Sequence, residues 1–174
     1  MPNSLTFSIP PIREMIARHG FSEPGKVFLD PFCRESPFKR FCISNDLDPS
    51  IPADYHMDAL EFMNLHDTAS ADGVLFDPPY SPRQVSECYR DMDRVVDMQS
   101  TQSSFWGNLK KEIARVLKPE GVCITCGWNS GGVGKGLGME LVEVLLVSHG
   151  GWHNDTIVAA EIKEVPHPEL GLSL

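Results

Sequence analysis

Asp77-Pro78-Pro79-Tyr80 follows the apolar run Gly73-Val74-Leu75-Phe76, so a carboxylate, a stiff backbone corner and an aromatic ring stand side by side. The apolar run lacks alternation and is preceded by the polar pair Ala71-Asp72, which predicts a short buried strand. The two prolines stop it. They remove two backbone donors, fix two φ angles near about −65° and keep Asp77 out of the helical region. The product is an extended corner at the carboxyl end of a strand, the edge of an open α/β sheet where ligands bind. Such a corner suits an exocyclic amine of a flipped-out base: the Asp77 carboxylate and the Pro78 carbonyl accept its two N–H bonds while Tyr80 stacks on the ring.

Two other patterns invite chemistry and fail on spacing. The loop from Gly127 to Gly138 contains Gly134-Lys135-Gly136 but lacks the Gly-Lys-Ser/Thr ending of a phosphate loop. It reads as a turn-rich segment after a strand, with Asn129 and Lys135 able to touch a polynucleotide. Cys123-x-x-Cys126 with His149 and His153 downstream imitates zinc spacing. Residues three apart on a strand face opposite sides, however, so ordinary core cysteines are expected and no metal site is assigned. No Ser-His-Asp arrangement is evident.

The elements that must position the corner follow from periodicity. Pro10-Pro11 before residues 12–20 predicts an amphipathic helix with proline at its start and Gly20 at its end. Strand one is expected at 27–30 and strand two at 41–44. A third strand is expected around 55–57, with a short helix over 59–63 after it. Strand four ends at Phe76. Residues 81–103 are polar, with a short helix near 83–92. Residues 104–117 carry Phe105, Leu109, Ile113, Val116 and Leu117 at helical spacing. Pro119-Glu120-Gly121 turns into strand five at 122–126, and a helix is expected around 139–145. Residues 145–147 and 157–162 read as a hairpin. Alternating strands and helices closed by a hairpin predict a mostly parallel three-layer α/β fold with a C-terminal antiparallel hairpin.

This order of segments resembles a class I S-adenosyl-L-methionine (SAM) dependent methyltransferase of the amino-methylating kind, with its Rossmann-like fold. Asp30-Pro31-Phe32-Cys33 is similar to the opening of that family's cofactor loop. Asn45-Asp46-Leu47-Asp48-Pro49 resembles the acidic end of strand two, which in the family binds the cofactor ribose. Asp58-Ala59-Leu60 resembles the acidic turn beside the adenine, and Phe7-Ser8-Ile9-Pro10-Pro11 the N-terminal cofactor segment. Residues 77–89, together with Gly150-Gly151-Trp152-His153-Asn154-Asp155-Thr156, look like small methyltransferase-like proteins of phages and prophages. The resemblance implies Asp77, Pro78, Pro79 and Tyr80 as the catalytic corner. It implies a cofactor site of Ser8, Ile9, Pro10, Asp30, Pro31, Phe32, Asp46, Asp58 and Ala59, with Phe32 helping Tyr80 to stack on the base. The implied reaction is methyl transfer to N6 of adenine in DNA. Asp-Pro-Pro-Tyr also occurs in enzymes acting on RNA, at guanine N2 or adenine N6, and an inactive binding module keeps the same fold. Protein-methylating relatives usually carry Asn in place of Asp77.

The chain departs from the family after Cys33. Arg34-Glu35-Ser36-Pro37-Phe38-Lys39 contains no glycine, and Asp30 and Asp46 are only about sixteen residues apart. That spacing is too short for an ordinary helical crossover, so the first crossover helix is expected to be missing. SAM has no phosphate to seat on that helix, which makes the loss tolerable.

Bulk properties bound the rest. The 174 residues, 41% hydrophobic and 22% charged, fit one globular domain over 1–174 with no separate target-recognition domain. Five scattered cysteines and the lack of a basic, apolar leader predict a cytoplasmic protein, in a prokaryote or a phage-infected cell. No apolar run is long enough to span a bilayer. The net charge of −9 opposes a phosphate grip by the chain alone. Binding to nucleic acid, DNA before RNA, is therefore expected to need a homo-oligomer or partner subunit. A basic rim of Arg34, Lys39, Arg40, Arg83 and Lys135 at the carboxyl edge is expected to help.

Overall fold

The computed structural model describes residues 5–79, 103–150 and 154–165. Tyr80, Arg83, the helix expected near 83–92 and residues 151–153 lie outside them. Within the described residues a six-stranded sheet runs in the order β2-β1-β3-β4-β6-β5. Its strands are β1 (Phe28–Asp30), β2 (Cys42–Ser44), β3 (Ala71–Phe76), β4 (Leu117–Gly127), β5 (Met139–Val147) and β6 (Thr156–Lys163). The first four are parallel. β6 runs antiparallel to both β4 and β5, closing the fold with the expected hairpin.

Among the described residues three α-helices cover the sheet: α1 (Pro10–Arg18), α2 (Ala59–Asn64) and α3 (Ser103–Val116). Alternation along the strands divides the core. Phe28, Leu75, Ile124 and Cys126 pack with Ile12, Met15 and Ile16 of α1. Leu29, Val74, Phe76 and Cys123 pack with Phe62 of α2 and Leu109 and Ile113 of α3. Each fully buried side chain of this size contributes roughly 1.5–3 kcal/mol relative to exposure. Gly73 permits the tight packing beneath α1, since a Cβ there would meet Phe21 Cζ at 2.7 Å. The Asp58 carboxylate starts α2 by accepting the Leu60 N–H at 2.8 Å.

The crossover helix between β1 and β2 is missing, as the spacing predicts. Turns and a 3-10 segment at Lys39–Phe41 join the two strands instead. Three expectations are corrected. The strand around 55–57 reduces to a single bridge between Asn45 and Tyr55, because Asp54 bends back to accept the Ser44 N–H and hydroxyl, each at 2.8 Å. The helix expected over 139–145 is part of strand β5. Its Glu140, Glu143 and Val144 imitate helical spacing, but a long ladder with β6 wins over that local signal. Lys39 and Arg40 precede β2, at the amino end of the sheet, and are not part of a rim at the carboxyl edge.

Candidate active site

Three acids converge where β1, β2 and β3 end. The register Leu29 with Val74 sets Asp30 level with Leu75, two residues short of Asp77. Both carboxylates continue the strand face that packs on α1. Asp30 is fully buried and Asp77 and Asp46 nearly so. The Phe32 N–H donates to Asp30 Oδ1 at 3.2 Å, while Asp30 Oδ2 is buried with no hydrogen-bond partner. Burial raises the Asp30 carboxyl to about 8. The Phe32 N–H opposes that rise, the charge of Asp77 adds to it, and the nearby Ser36 side chain lowers it while Asp46 raises it by a smaller amount.

The loop after Asp30 is fixed from β2 rather than by glycines. Asp46 Oδ2 accepts the Arg34 N–H at 2.9 Å, and Oδ1 accepts the Asp48 N–H at 2.9 Å. Arg34 has φ of 40°, a left-handed conformation that glycine adopts freely. Asn45, which the sequence reading passed over as a site residue, is the other anchor. Its amide donates to the carbonyls of Pro31 at 3.2 Å and Met57 at 3.0 Å. Its side-chain oxygen accepts the Met57 N–H at 3.1 Å. One buried amide thus joins the segments that carry Asp30 and Asp58. Its position next to Asp46 was the one sequence signal for it.

Ser8 ends a 3-10 turn, and Ile9 precedes Pro10 at the start of α1, on the face shared by Asp30 and Asp77. Ala59 is buried at the start of α2 behind Asp58. Pro78 and Pro79 are half-buried beyond Asp77. The Phe32 ring lies 6.0 Å from Phe76 and 6.4 Å from Trp106 (centroid to centroid), so it packs towards α3. That is the face opposite Asp30 and Asp77; Tyr80, its expected partner on the base, lies outside the described residues. Asn129 Oδ1 accepts the Gly131 N–H at 2.9 Å, and Lys135 is exposed in a 3-10 turn.

Cys123 and Cys126 are buried in opposite core layers. Burial pushes the Cys123 thiol up to about 12, and the Cys126 thiol is likewise raised, first by burial and then by Asp77 and Asp30. Among the described residues no group of three His, Cys, Asp or Glu side chains is placed to hold a metal ion. No helix among them is long and apolar enough to cross a membrane.

No protein-family model and no curated protein sequence matches this chain. Solved structures do. TrmN from Thermus thermophilus superposes with a TM-score of 0.56 and 16% identity, over 88% of this chain and 48% of that one. The chain therefore spans about half the length of TrmN. The N-methyltransferase NodS from Bradyrhizobium japonicum WM9, in complex with S-adenosyl-L-homocysteine, gives 0.56 and 13% over 95% and 92%. The cyclase SpnF gives 0.56 and 15% over 89% and 80%. The sheet order and these likenesses define a Rossmann-like methyltransferase fold, and SpnF illustrates that this fold also carries other chemistry.

Proposed function

We propose that this chain is a SAM-dependent methyltransferase acting on an exocyclic base amine, N6 of adenine in DNA. The observation that carries the proposal is the pairing of two buried carboxylates at one sheet edge. Asp77 opens a Pro-Pro corner, and Asp30 beside it has an unsatisfied oxygen. A cationic ligand fits that orphan oxygen among three acids, and SAM carries a sulfonium and an ammonium group. SAM supplies, when bound, the activated methyl group.

The residues divide the work. Asp30 faces the cationic part of the cofactor and gives up its proton as the cation arrives. Asp46 and Asp58 serve the ribose and adenine, with Ser8, Ile9, Pro10, Pro31 and Ala59 lining the approach. Asp77 and the Pro78 carbonyl accept the two N–H bonds of the target amine and turn its lone pair towards the methyl group. Tyr80 stacks on the flipped base. No strong general base is required, because the amine loses its proton after methylation. Rate enhancement comes from positioning and charge complementarity. Arg83, Asn129 and Lys135 are proposed contacts to the polynucleotide, with a second copy or partner subunit completing the grip.

The test is mass spectrometry of nucleosides from DNA and from RNA incubated with the protein and SAM. N6-methyl-2′-deoxyadenosine in the DNA digest is expected. A methylated guanosine or adenosine confined to RNA would move the target, and SAM binding without any methylated nucleoside would make the chain a binding module.

A further inference from the structure

Arg40, which lies away from the carboxyl edge, lines a cleft of about 310 Å³ between α1 and the turn that leads into β2. Arg13, Glu14 and Ser22 stand on the α1 side; Phe38, Arg40 and Phe41 stand on the other. The volume falls at the lower end of ligand sites. Arg18 and Arg115 are taken up in ion pairs with Glu143 and Glu112. Arg13 and Arg40 have no acidic partner among the described residues. With Glu14 as the one acid lining it, the cleft is locally positive on a chain of net charge −9.

The wall that carries Arg40 is set before any ligand arrives. The Ser36 hydroxyl accepts the Phe38 N–H at 3.2 Å, and the Phe38 carbonyl accepts the Phe41 N–H at 2.8 Å. Phe38 is buried, and its ring lies 6.5 Å from that of Phe41. The Arg40 guanidinium sits over the Phe41 ring, 4.6 Å from its centroid. That contact holds the guanidinium by its face and leaves the N–H edge, which matches phosphate oxygens, turned to other partners. Arg13 is four residues past Ile9 on α1, about 6 Å of helix rise from the approach to the cofactor. Phe41 and Asp46 are five residues apart, at most about 17 Å of chain. Phosphates of one helical strand recur about every 3.4 Å, so a strand passing the Asp77 corner reaches the cleft within about five nucleotides.

We propose that this cleft binds a phosphate group of the nucleic-acid strand, with Arg13 and Arg40 donating to its oxygens. The inference rests on the function proposed above and names where an acidic chain grips its substrate. Guanidinium–phosphate pairs are charge-assisted and bidentate, which makes two arginines on facing walls a clamp. Glu14 faces the same anion and weakens the grip by repulsion. Phosphate carries no base identity, so the contact orients the strand and leaves selection to the corner.

The experiment is a titration of the whole protein with a short, end-labelled single-stranded DNA, and with an RNA of the same sequence, at two salt concentrations. Free 2′-deoxyadenosine 5′-monophosphate is the small-nucleotide probe. Arg13→Gln and Arg40→Gln should each weaken strand binding about 3- to 20-fold at the lower salt. Each should also reduce the slope of log affinity against log salt by about 0.7. Glu14→Gln should tighten binding about 2- to 5-fold, a gain that misfolding does not produce. SAM affinity, measured by calorimetry, should be unchanged in all three. Wild-type affinity and slope in both arginine variants overturn the inference, even where the protein methylates DNA. A wild-type protein that binds neither strand also overturns it. So does one that binds the monophosphate as tightly as the strands, with the same dependence on both arginines, since the cleft is then a small-nucleotide site. Arginine-dependent strand binding by a protein that shows no methyl transfer supports the clamp and rejects the enzyme.

Discussion

Asp30 and Glu161 are both buried carboxylates, and the fold treats them in opposite ways. Glu161 has each oxygen matched to a backbone N–H, at 2.6 and 2.8 Å, and so fixes a loop. Asp30 has one N–H at 3.2 Å, a second oxygen with no partner within hydrogen-bond geometry although the Ser36 side chain is near, two acidic neighbours and a carboxyl raised to about 8. Satisfied buried charge is a structural device, whereas unsatisfied buried charge is a destabilising arrangement that persists where a ligand completes it. The contrast separates scaffold from site without reference to any relative.

Removing Asp30's neighbour should have the largest effect. Asp77→Ala should cut methyl transfer about thirty- to thousand-fold, the loss of one charge-assisted bond to the reacting amine, and leave SAM affinity within a few-fold. Steady-state transfer of a radiolabelled methyl group reads this directly, and unaltered turnover would remove Asp77 from the chemistry.

Neutralising the two carboxylates in turn should move stability in opposite directions. Glu161→Ala strands two loop N–H groups and should cost about 1–3 kcal/mol for each that finds no other partner. Asp30→Asn relieves an unsatisfied acid and should raise the unfolding temperature of the ligand-free protein at pH 8, while SAM affinity falls. Thermal unfolding of both variants with and without SAM decides it; a loss of stability in both would erase the distinction.

Acidity gives the same comparison a sign. Asp30 holds its proton in the fold up to about pH 8, whereas its ordinary value is 3.8. The folded state thus binds the extra proton, and this contribution to stability is complete below 3.8 and lost as pH rises through about 8. The slope from this group is at most about 1.4 kcal/mol per pH unit between those limits. A cation at Oδ2 expels the proton, so SAM affinity should climb with pH towards 8 and then level off. Asp30→Asn should flatten both curves, and an unchanged profile would break the assignment.

Asp46→Ala should give the smallest of these effects. It frees the Arg34 and Asp48 N–H groups and should weaken SAM binding more than nucleic-acid binding. Calorimetry of this variant showing wild-type affinity would restrict Asp46 to shaping the loop.

The Asp77-Pro78-Pro79 strand end, the strand that carries it and the lost crossover were legible in the sequence, because each rests on local rules: prolines end a strand, and about sixteen residues cannot hold two strand halves and a helix. The helix expected over 139–145 was misread because Glu140, Glu143 and Val144 satisfy two periods at once, and only pairing with β6 selects one. Asp58 was read as a ligand and also serves as a helix cap, a role with the same residue type and position. Asn45 and Glu161 were invisible because their meaning lies in partners 12 to 28 residues away.

β2 is three residues long and lies at the open side of the sheet, yet it anchors the loop around Asp30 through Asn45 and Asp46. A strand with one ladder and few buried side chains opens more readily than the core. Amide deuterium uptake should therefore be fast over 31–46 and slow over β3, β4 and β6, and SAM should protect the first region selectively. Escape of the cofactor would then be timed by fraying of this edge, making residence time a property of β2 more than of the contacts at the ligand itself.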